Sequence, residues 1–282
     1  MHSRGEVMTL RSLLFVLLIA SSVSMHVATA QAQTGEIISR SELRVCADPN
    51  NLPFSNEHEE GFENRIAHVV GDELKLPVSY FWFPQVIGFV RNTLRTYQCD
   101  LVMGTVAGDD IMQTTNPYYF SAYVMIYRSD RGLNLTGLDD PAIQGMRVGI
   151  IAGTPPSNLL IRHGLMAKAK PYALTVDTRY ESPARQMIQD IMGGEIDAGV
   201  LWGPIAGYYV KHEKLPLQFA LLKNEPGAPR MDYHIAMGVR GNEPDWRRRI
   251  NAVIIKRQSD IKAILRDYGV PLLNEQGELL SR

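Results

Sequence analysis

Residues 43–56, LRVCADPNNLPFSN, narrow the fold more than any other stretch. A short apolar run holding Leu43 and Val45 ends in a turn-rich segment of Asp48, Pro49, Asn50, Asn51 and Pro53. Gly61 then opens a new pattern, GFENRIAHVV. In it Phe62, Ile66, Val69, Val70 and Leu74 recur at helical spacing. A strand that runs into a loop and then a helix is the unit of an open α/β sheet, and such sheets take ligands at the carboxyl ends of their strands. The stretch therefore reads as the first βα unit and as one wall of a binding cleft.

The alternation continues. PVSYFWF (77–83) has strand composition, and residues 87–97 predict a helix around Ile87, Val90 and Leu94. CDLVM predicts a third strand ending at Gly104. A polar loop, 105–119, precedes an alternating aromatic strand at 121–127. The βαβαβ order predicts a parallel sheet with right-handed crossovers, in which the first and third strands are neighbours. Residues 128–141, RSDRGLNLTGLDDP, break the composition, and the pattern then restarts. Strands are expected at 146–153, 172–176, 197–202 and 217–222. Helices are expected from Pro155 to Gly164, from the Ser182-Pro183 cap to Gly193-Gly194, and at 204–212. A second turn-rich break, 223–232, leads to a strand at 234–239 and a long basic helix at 244–268. Its apolar side carries Trp246, Ile250, Val253, Ile254, Ile261 and Leu265. The expected architecture is α/β with two lobes, each a mainly parallel sheet flanked by helices, and a cleft between them. Lobe 1 takes 31–127 plus 233–282 and lobe 2 takes 132–228. The crossovers at 128–131 and 229–232 form a hinge.

The first thirty residues read differently. Arg4 and Arg11 flank a weakly basic start, Leu13–Ala20 is apolar, and small residues end in Ala28-Thr29-Ala30. This predicts a signal peptide over 1–30 and export to an oxidising compartment. The alternative is an uncleaved anchor, for which the apolar run is short and broken by Ser21, Ser22 and Ser24. Past residue 30 the chain carries 27 basic against 29 acidic residues, which argues against nucleic acid as a partner. Export makes one disulfide the natural inference for the two cysteines, Cys46 and Cys99, with two buried free thiols as the alternative. There is no CxxC and no HExxH spacing, and the pairs Asp109-Asp110 and Asp139-Asp140 do not form a calcium loop. No metal, cofactor or enzymatic activity is expected; an acid/base pair would have to come from residues such as Glu63 and Asp232.

Several residues are candidates for the cleft. Asn50, Asn51 and Phe54 follow the first strand, although Asn50 and Asn51 equally suit a turn. Trp82 and Trp202 end strands, where a flat ligand or a partner side chain can be sandwiched. Glu63 lies in a first helical turn, where it suits the helix dipole, and Arg91 follows Trp82. Thr105 and Thr154 sit just past strands, where each suits a ligand hydrogen bond or a helix cap. Pro155, beside Thr154, removes an N–H donor and weakens any anion site there. Tyr118, Tyr119, Tyr123 and Tyr127 form an aromatic run suited to an interface, with core packing as the alternative.

The strings LRVCADPNNLPFS, GFENRIA, CDLVMG with NPYY after it, LDDPAIQGMRVGIIAGTPPS and GGEIDAGVLWGPIAGYYV resemble the type II periplasmic solute-binding proteins that serve ABC importers. CADPNNLPFSN, FVRNTL and CDLVMGTVAG with TTNPYY narrow this. They resemble the MoxJ/XoxJ subfamily associated with quinoprotein (pyrroloquinoline-quinone) methanol dehydrogenases. The resemblance implies a two-lobed periplasmic binding protein whose partner is such a dehydrogenase, which it helps to mature or become active. The alternative is an importer receptor for a small solute. Amino-acid-binding relatives carry an arginine before the Pro-Tyr string to clamp the ligand carboxylate. Here Gly108-Asp109-Asp110 stands there, which removes that bidentate contact and argues against amino acids.

Overall fold

The structure, a computed structural model, describes residues 39–280. The expected signal peptide lies outside the described residues. Strand β1 (Leu43–Ala47) forms where the apolar run predicts it, with Leu43 and Val45 fully buried. Two short strands, β2 (Asn50–Asn51) and β3 (Ser55–Asn56), pair across the Pro-rich turn. Helix α1 (Phe62–Leu74) buries Phe62, Ile66, Ala67 and Val70, the residues its period places together. The loop is fastened to the start of α1. The Asn64 side chain accepts from the Asn56 and Gly61 amides, and the Phe62 and Glu63 amides donate to Pro53 O and Phe54 O. The helix's first donors are thus satisfied by protein carbonyls. Gly61 is required there, since a Cβ would lie 2.0 Å from Phe54 O.

β4 (Val78–Trp82) and β5 (Leu101–Val106) pair in parallel on either side of β1, as the βαβαβ order predicts. β11 (Asp232–Val239) joins β5 in antiparallel register, and β6 (Gln113–Arg128) joins β11. β6 continues without a break to pair with β9 (Ala198–Trp202) and β10 (Leu217–Leu221). β7 (Val148–Ile151) lies parallel to β9, and β8 (Lys170–Tyr172) parallel to β7. The order across the sheet is β4-β1-β5-β11-β6-β9-β7-β8, with β10 also on β6. The parallel pairs flank an antiparallel centre, and helices cover the faces. α3 (Pro156–Arg162) and α4 (Pro183–Gly193) follow β7 and β8, and Ser182 caps α4 by accepting from the Arg185 amide. The described residues, 39–280, belong to one compact unit. No helix among the described residues is long and apolar enough to cross a membrane.

Several expected elements are corrected. The helix expected over 87–97 is a single turn, α2 (Phe89–Asn92), followed by a 3-10 turn at Leu94–Thr96. Gly88 is left-handed and Thr93 is non-helical, so a continuous helix cannot form, and Ile87 stands 88% exposed rather than in the core. Gly104 does not end its strand, which runs on to Val106. Part of the expected polar loop is strand, because β6 begins at Gln113, where Thr114 and Gln113 pair with Gly238 and Val239. The strand expected at 172–176 stops at Tyr172. The helix over 204–212 is α5 (Gly203–Gly207) followed by a π-helical turn at Tyr208–His212. The long terminal helix is two, α6 (Pro244–Lys256) and α7 (Gln258–Asp267), separated by non-helical Arg257.

A buried ion cluster ties α6 to β1 and β5. Asp100 receives Arg44 in a bidentate contact at 2.7 and 2.9 Å and Arg240 at 2.5 Å. Glu243, fully buried, receives Arg40 at 2.5 Å and Arg240 at 2.6 Å. Trp246 Nε1 donates to Asp100 O. Burial alone pushes the Asp100 carboxyl up, but the hydrogen-bonded guanidiniums of Arg44 and Arg240 hold it below its ordinary value.

Cys46 and Cys99 form a disulfide with Cα atoms 5.3 Å apart, closing a loop of sequence separation 53. Chain-entropy arguments give such a loop about 4 kcal/mol. The double variant Cys46→Ala/Cys99→Ala is expected to lose about 2–4 kcal/mol in urea unfolding. Dithiothreitol is expected to weaken the wild type by the same amount and leave the double variant unchanged.

Candidate ligand cleft

Two contiguous cavities open at the strand ends. The first, about 470 Å³, is lined by Phe54, Glu63, Gln85, Gly104, Thr105, Val106, Tyr119, Tyr123, Pro155, Trp202, Tyr233 and Ile235. The second, about 260 Å³, shares Gln85, Tyr123 and Trp202 and adds Asn50, Asn51 and Thr154.

Sheet register builds the aromatic wall. Ile235 pairs with Tyr119 across β11 and β6, and Tyr123 pairs with Trp202 across β6 and β9. Residues two or four apart on a strand share a face, so Tyr119 and Tyr123 point together, as do Tyr233 and Ile235. Tyr123, Trp202 and Tyr233 meet edge to face at centroid distances of 5.2, 6.1 and 6.3 Å. Mutual contacts of this kind fix the rings in place.

Glu63, from the first turn of α1, lines the same cavity. Its carboxyl lies against Gly104, where a Cβ would come within 2.4 Å of Oε1. Glycine is what lets the acid pass β5. Among the described residues no group donates a hydrogen bond to that carboxyl. Burial, reinforced by the nearby negative charge of Asp48, pushes its pKa up to about 8.

Asp48 is fully engaged. It accepts from the Asn50 and Gln85 amides at 2.9 and 2.6 Å and from Thr178 Oγ1 at 2.7 and 2.9 Å. Asn50 Nδ2 donates to Thr178 O at 2.8 Å. These contacts join the loop after β1 to the segment before α4, 130 residues away in sequence. Thr178→Val is expected to cost about 1.5–3 kcal/mol, the range for a hydrogen bond to a charged group. Urea unfolding measures it, and hydrogen exchange of the Asn50 and Gln85 amides is expected to quicken.

Of the residues expected from the sequence, Asn50, Asn51, Phe54, Glu63, Thr105, Tyr123, Thr154, Pro155 and Trp202 line these cavities. Asn51 reaches Gln85 at 3.2 Å. The Thr105 and Thr154 hydroxyls donate to Asp109 and to Ile151 O. Three expected residues lie elsewhere. Trp82 stacks on Tyr80 at 4.6 Å, held by its place on the edge strand β4. Arg91 is exposed on α2, whose single turn does not carry it to the cavities. Tyr118 is 1% exposed and donates to Met103 O, because strand alternation turns it into the core when Tyr119 faces the cleft. Of the aromatic run, Tyr119 and Tyr123 line the cleft and Tyr127 is buried. Tyr233, Gln85 and Thr178 complete the site beyond the sequence reading, and alternation within β11 was the available signal for Tyr233. The turn at Gly108-Asp109-Asp110 folds on itself, Asp109 accepting from the Thr105 hydroxyl and the Ile111 amide. Among the described residues no lysine or arginine lines either cavity. Among the described residues no group of three or more His, Cys, Asp or Glu is placed to hold a metal.

An α/β sheet with its cleft at the strand ends and β6 shared by both halves defines a type II periplasmic binding protein. No family model matches the chain. It is 44% identical to periplasmic binding protein XoxJ from Methylobacterium extorquens AM1, with a TM-score of 0.71, covering 83% of this chain and 100% of that one. It is 29% identical to MxaJ from Methlophaga aminisulfidivorans MPT, with a TM-score of 0.74, covering 82% and 100%. Protein MoxJ of Methylorubrum extorquens is 28% identical over 261 residues, 87% of this chain and 86% of that protein. The chain belongs to the MoxJ/XoxJ family of periplasmic binding proteins.

Proposed function

We propose that this protein is a non-enzymatic periplasmic accessory of a pyrroloquinoline-quinone-dependent methanol dehydrogenase. It holds the dehydrogenase, or a segment of it, in the aromatic cleft and aids its maturation or activation. One observation carries the cleft assignment: the site is walled by Tyr119, Tyr123, Trp202 and Tyr233 and has no basic side chain to clamp an amino acid's carboxylate. Aromatic residues give large contact area at low entropic cost and are enriched where proteins meet. The signal-peptide pattern at 1–30 and membership of the family support a periplasmic location. A binding role is supported further by Asp48, the acid whose charge acts on Glu63 and whose own carboxylate accepts from Asn50, Gln85 and Thr178. It is not free to serve as a catalytic partner.

The lobe division at 128–131 and 229–232 is part of the reading, with closure of the cleft as its motion. Purified protein is expected to capture the cognate dehydrogenase at micromolar concentration and to raise the active fraction recovered from a strain lacking the accessory gene. Absence of both effects overturns the reading. A second reading, an importer receptor for a small solute that is not an amino acid, is favoured by the cavity's volume of about 470 Å³. That lies in the range of small-molecule sites. A thermal-shift screen against small solutes separates the two, because a bound ligand raises stability by mass action.

A further inference from the structure

The chemistry of the larger cavity is one-sided. One wall is an electron-rich aromatic surface of Tyr123, Trp202 and Tyr233, in mutual edge-to-face contact, with Tyr119 and Phe54 beside it. The same lining carries the Glu63 carboxyl, to which no described residue donates a hydrogen bond, and among the described residues it holds no lysine or arginine. Ring faces attract cations and a carboxylate attracts them more, while no positive charge among the described lining residues favours an anion. An uncharged apolar ligand would leave the acid without a partner.

We infer that this cavity binds an alkylammonium group, with the nitrogen seated between the Glu63 carboxyl and the Tyr123–Trp202–Tyr233 rings. This rests on the cleft being the binding site. It names the chemistry of the occupant, which either a free amine or a lysine side chain of the partner dehydrogenase supplies. A cation at this place favours the charged form of the acid, so binding expels the Glu63 proton. The groups that face Glu63 are Asp48, Tyr118 and Tyr119. Asp48 raises its pKa, and the two buried tyrosines have pKa values well above the usual range, so they stay neutral. Glu63 is therefore the group that titrates on binding. With a pKa of about 8, occupancy is expected to be roughly tenfold stronger at pH 8 than at pH 6.5 by proton linkage.

The test uses calorimetry on the mature protein with choline, n-butylammonium and choline's neutral isostere, 3,3-dimethyl-1-butanol. Saturable binding of a cation is expected, with no binding of the isostere. Glu63→Gln is expected to weaken cation binding by about tenfold or more, the scale of a lost charged contact. Tyr233→Leu weakens it without touching the acid, and serves should Glu63→Gln fail to fold. No cation binding up to about 10 mM, well beyond useful affinity, overturns the inference. So does equal binding of the isostere, or indifference to both substitutions. Dehydrogenase capture is measured in parallel. Capture by the wild type and Glu63→Gln alike, with no ammonium bound, removes the cation site and keeps the accessory role. Ammonium binding without capture does the reverse. A cation that binds and competes with capture assigns the group to a dehydrogenase lysine, and one that binds without competing assigns it to a free amine.

Discussion

Glu63→Gln is expected to abolish a loss of stability that the wild type suffers as pH rises. The carboxyl's folded pKa of about 8 stands above its ordinary value of 4.5. A group raised in this way favours the folded state fully below about pH 4.5. The advantage is lost progressively until pH passes 8, because the unfolded chain releases the proton first. At 1.36 kcal/mol per unit the whole effect is on the order of 3–5 kcal/mol. Glutamine keeps the size and loses the titration. Melting temperatures of the two proteins at pH 5, 7 and 9 are expected to diverge. The variant should gain about 2–4 °C on the wild type per kcal/mol, for a chain of this size. Other titrating groups are common to both proteins and cancel in the difference. Parallel pH profiles would show that the acid is solvated rather than held against Gly104.

The second large effect lies at the ion cluster. Asp100→Ala leaves the Arg44 and Arg240 guanidiniums without the carboxylate they share, and Arg40, 3.5 Å from that carboxylate, loses it too. Breaking one partner out of a buried pair costs about 3–5 kcal/mol, because the remaining charge stays desolvated. Urea unfolding at pH 7 is expected to show a loss of that size. Because the folded carboxyl titrates below its ordinary value, the wild-type advantage is present above about pH 4 and lost as pH falls below it. A loss under about 1 kcal/mol, the value of a surface pair, would mean that water reaches the cluster.

Local pattern made much of this legible. The βα unit at Leu43–Leu74, the pairing of β1 with β5 and the Cys46–Cys99 bond follow from apolar spacing and strand order. So does the placement of Asn50, Phe54 and Trp202 along the two contiguous cavities. What escaped is what depends on distant partners. The first half of β6 reads as a polar loop until Thr114 and Gln113 find Gly238 and Val239 across it. Tyr118 and Tyr119 are adjacent and chemically alike, and only the register on β11 turns one into the core and the other into the cleft. The strand-ending reading of Gly104 missed its purpose, which is to admit Glu63. Thr178 carries no sequence signal, since its bond to Asp48 spans 130 residues.

The central claim is that the aromatic cleft receives the dehydrogenase, and titration of the purified cognate enzyme into wild-type protein and Trp202→Ala tests it most directly. Both proteins are first shown folded by their melting curves. Saturable binding at micromolar concentration or below is expected for the wild type. The variant should weaken it by about tenfold or more, equivalent to about 1.4 kcal/mol, since a tryptophan at the centre of a contact carries more than its share of the energy. Equal affinity for both proteins, or no binding to either, would contradict it.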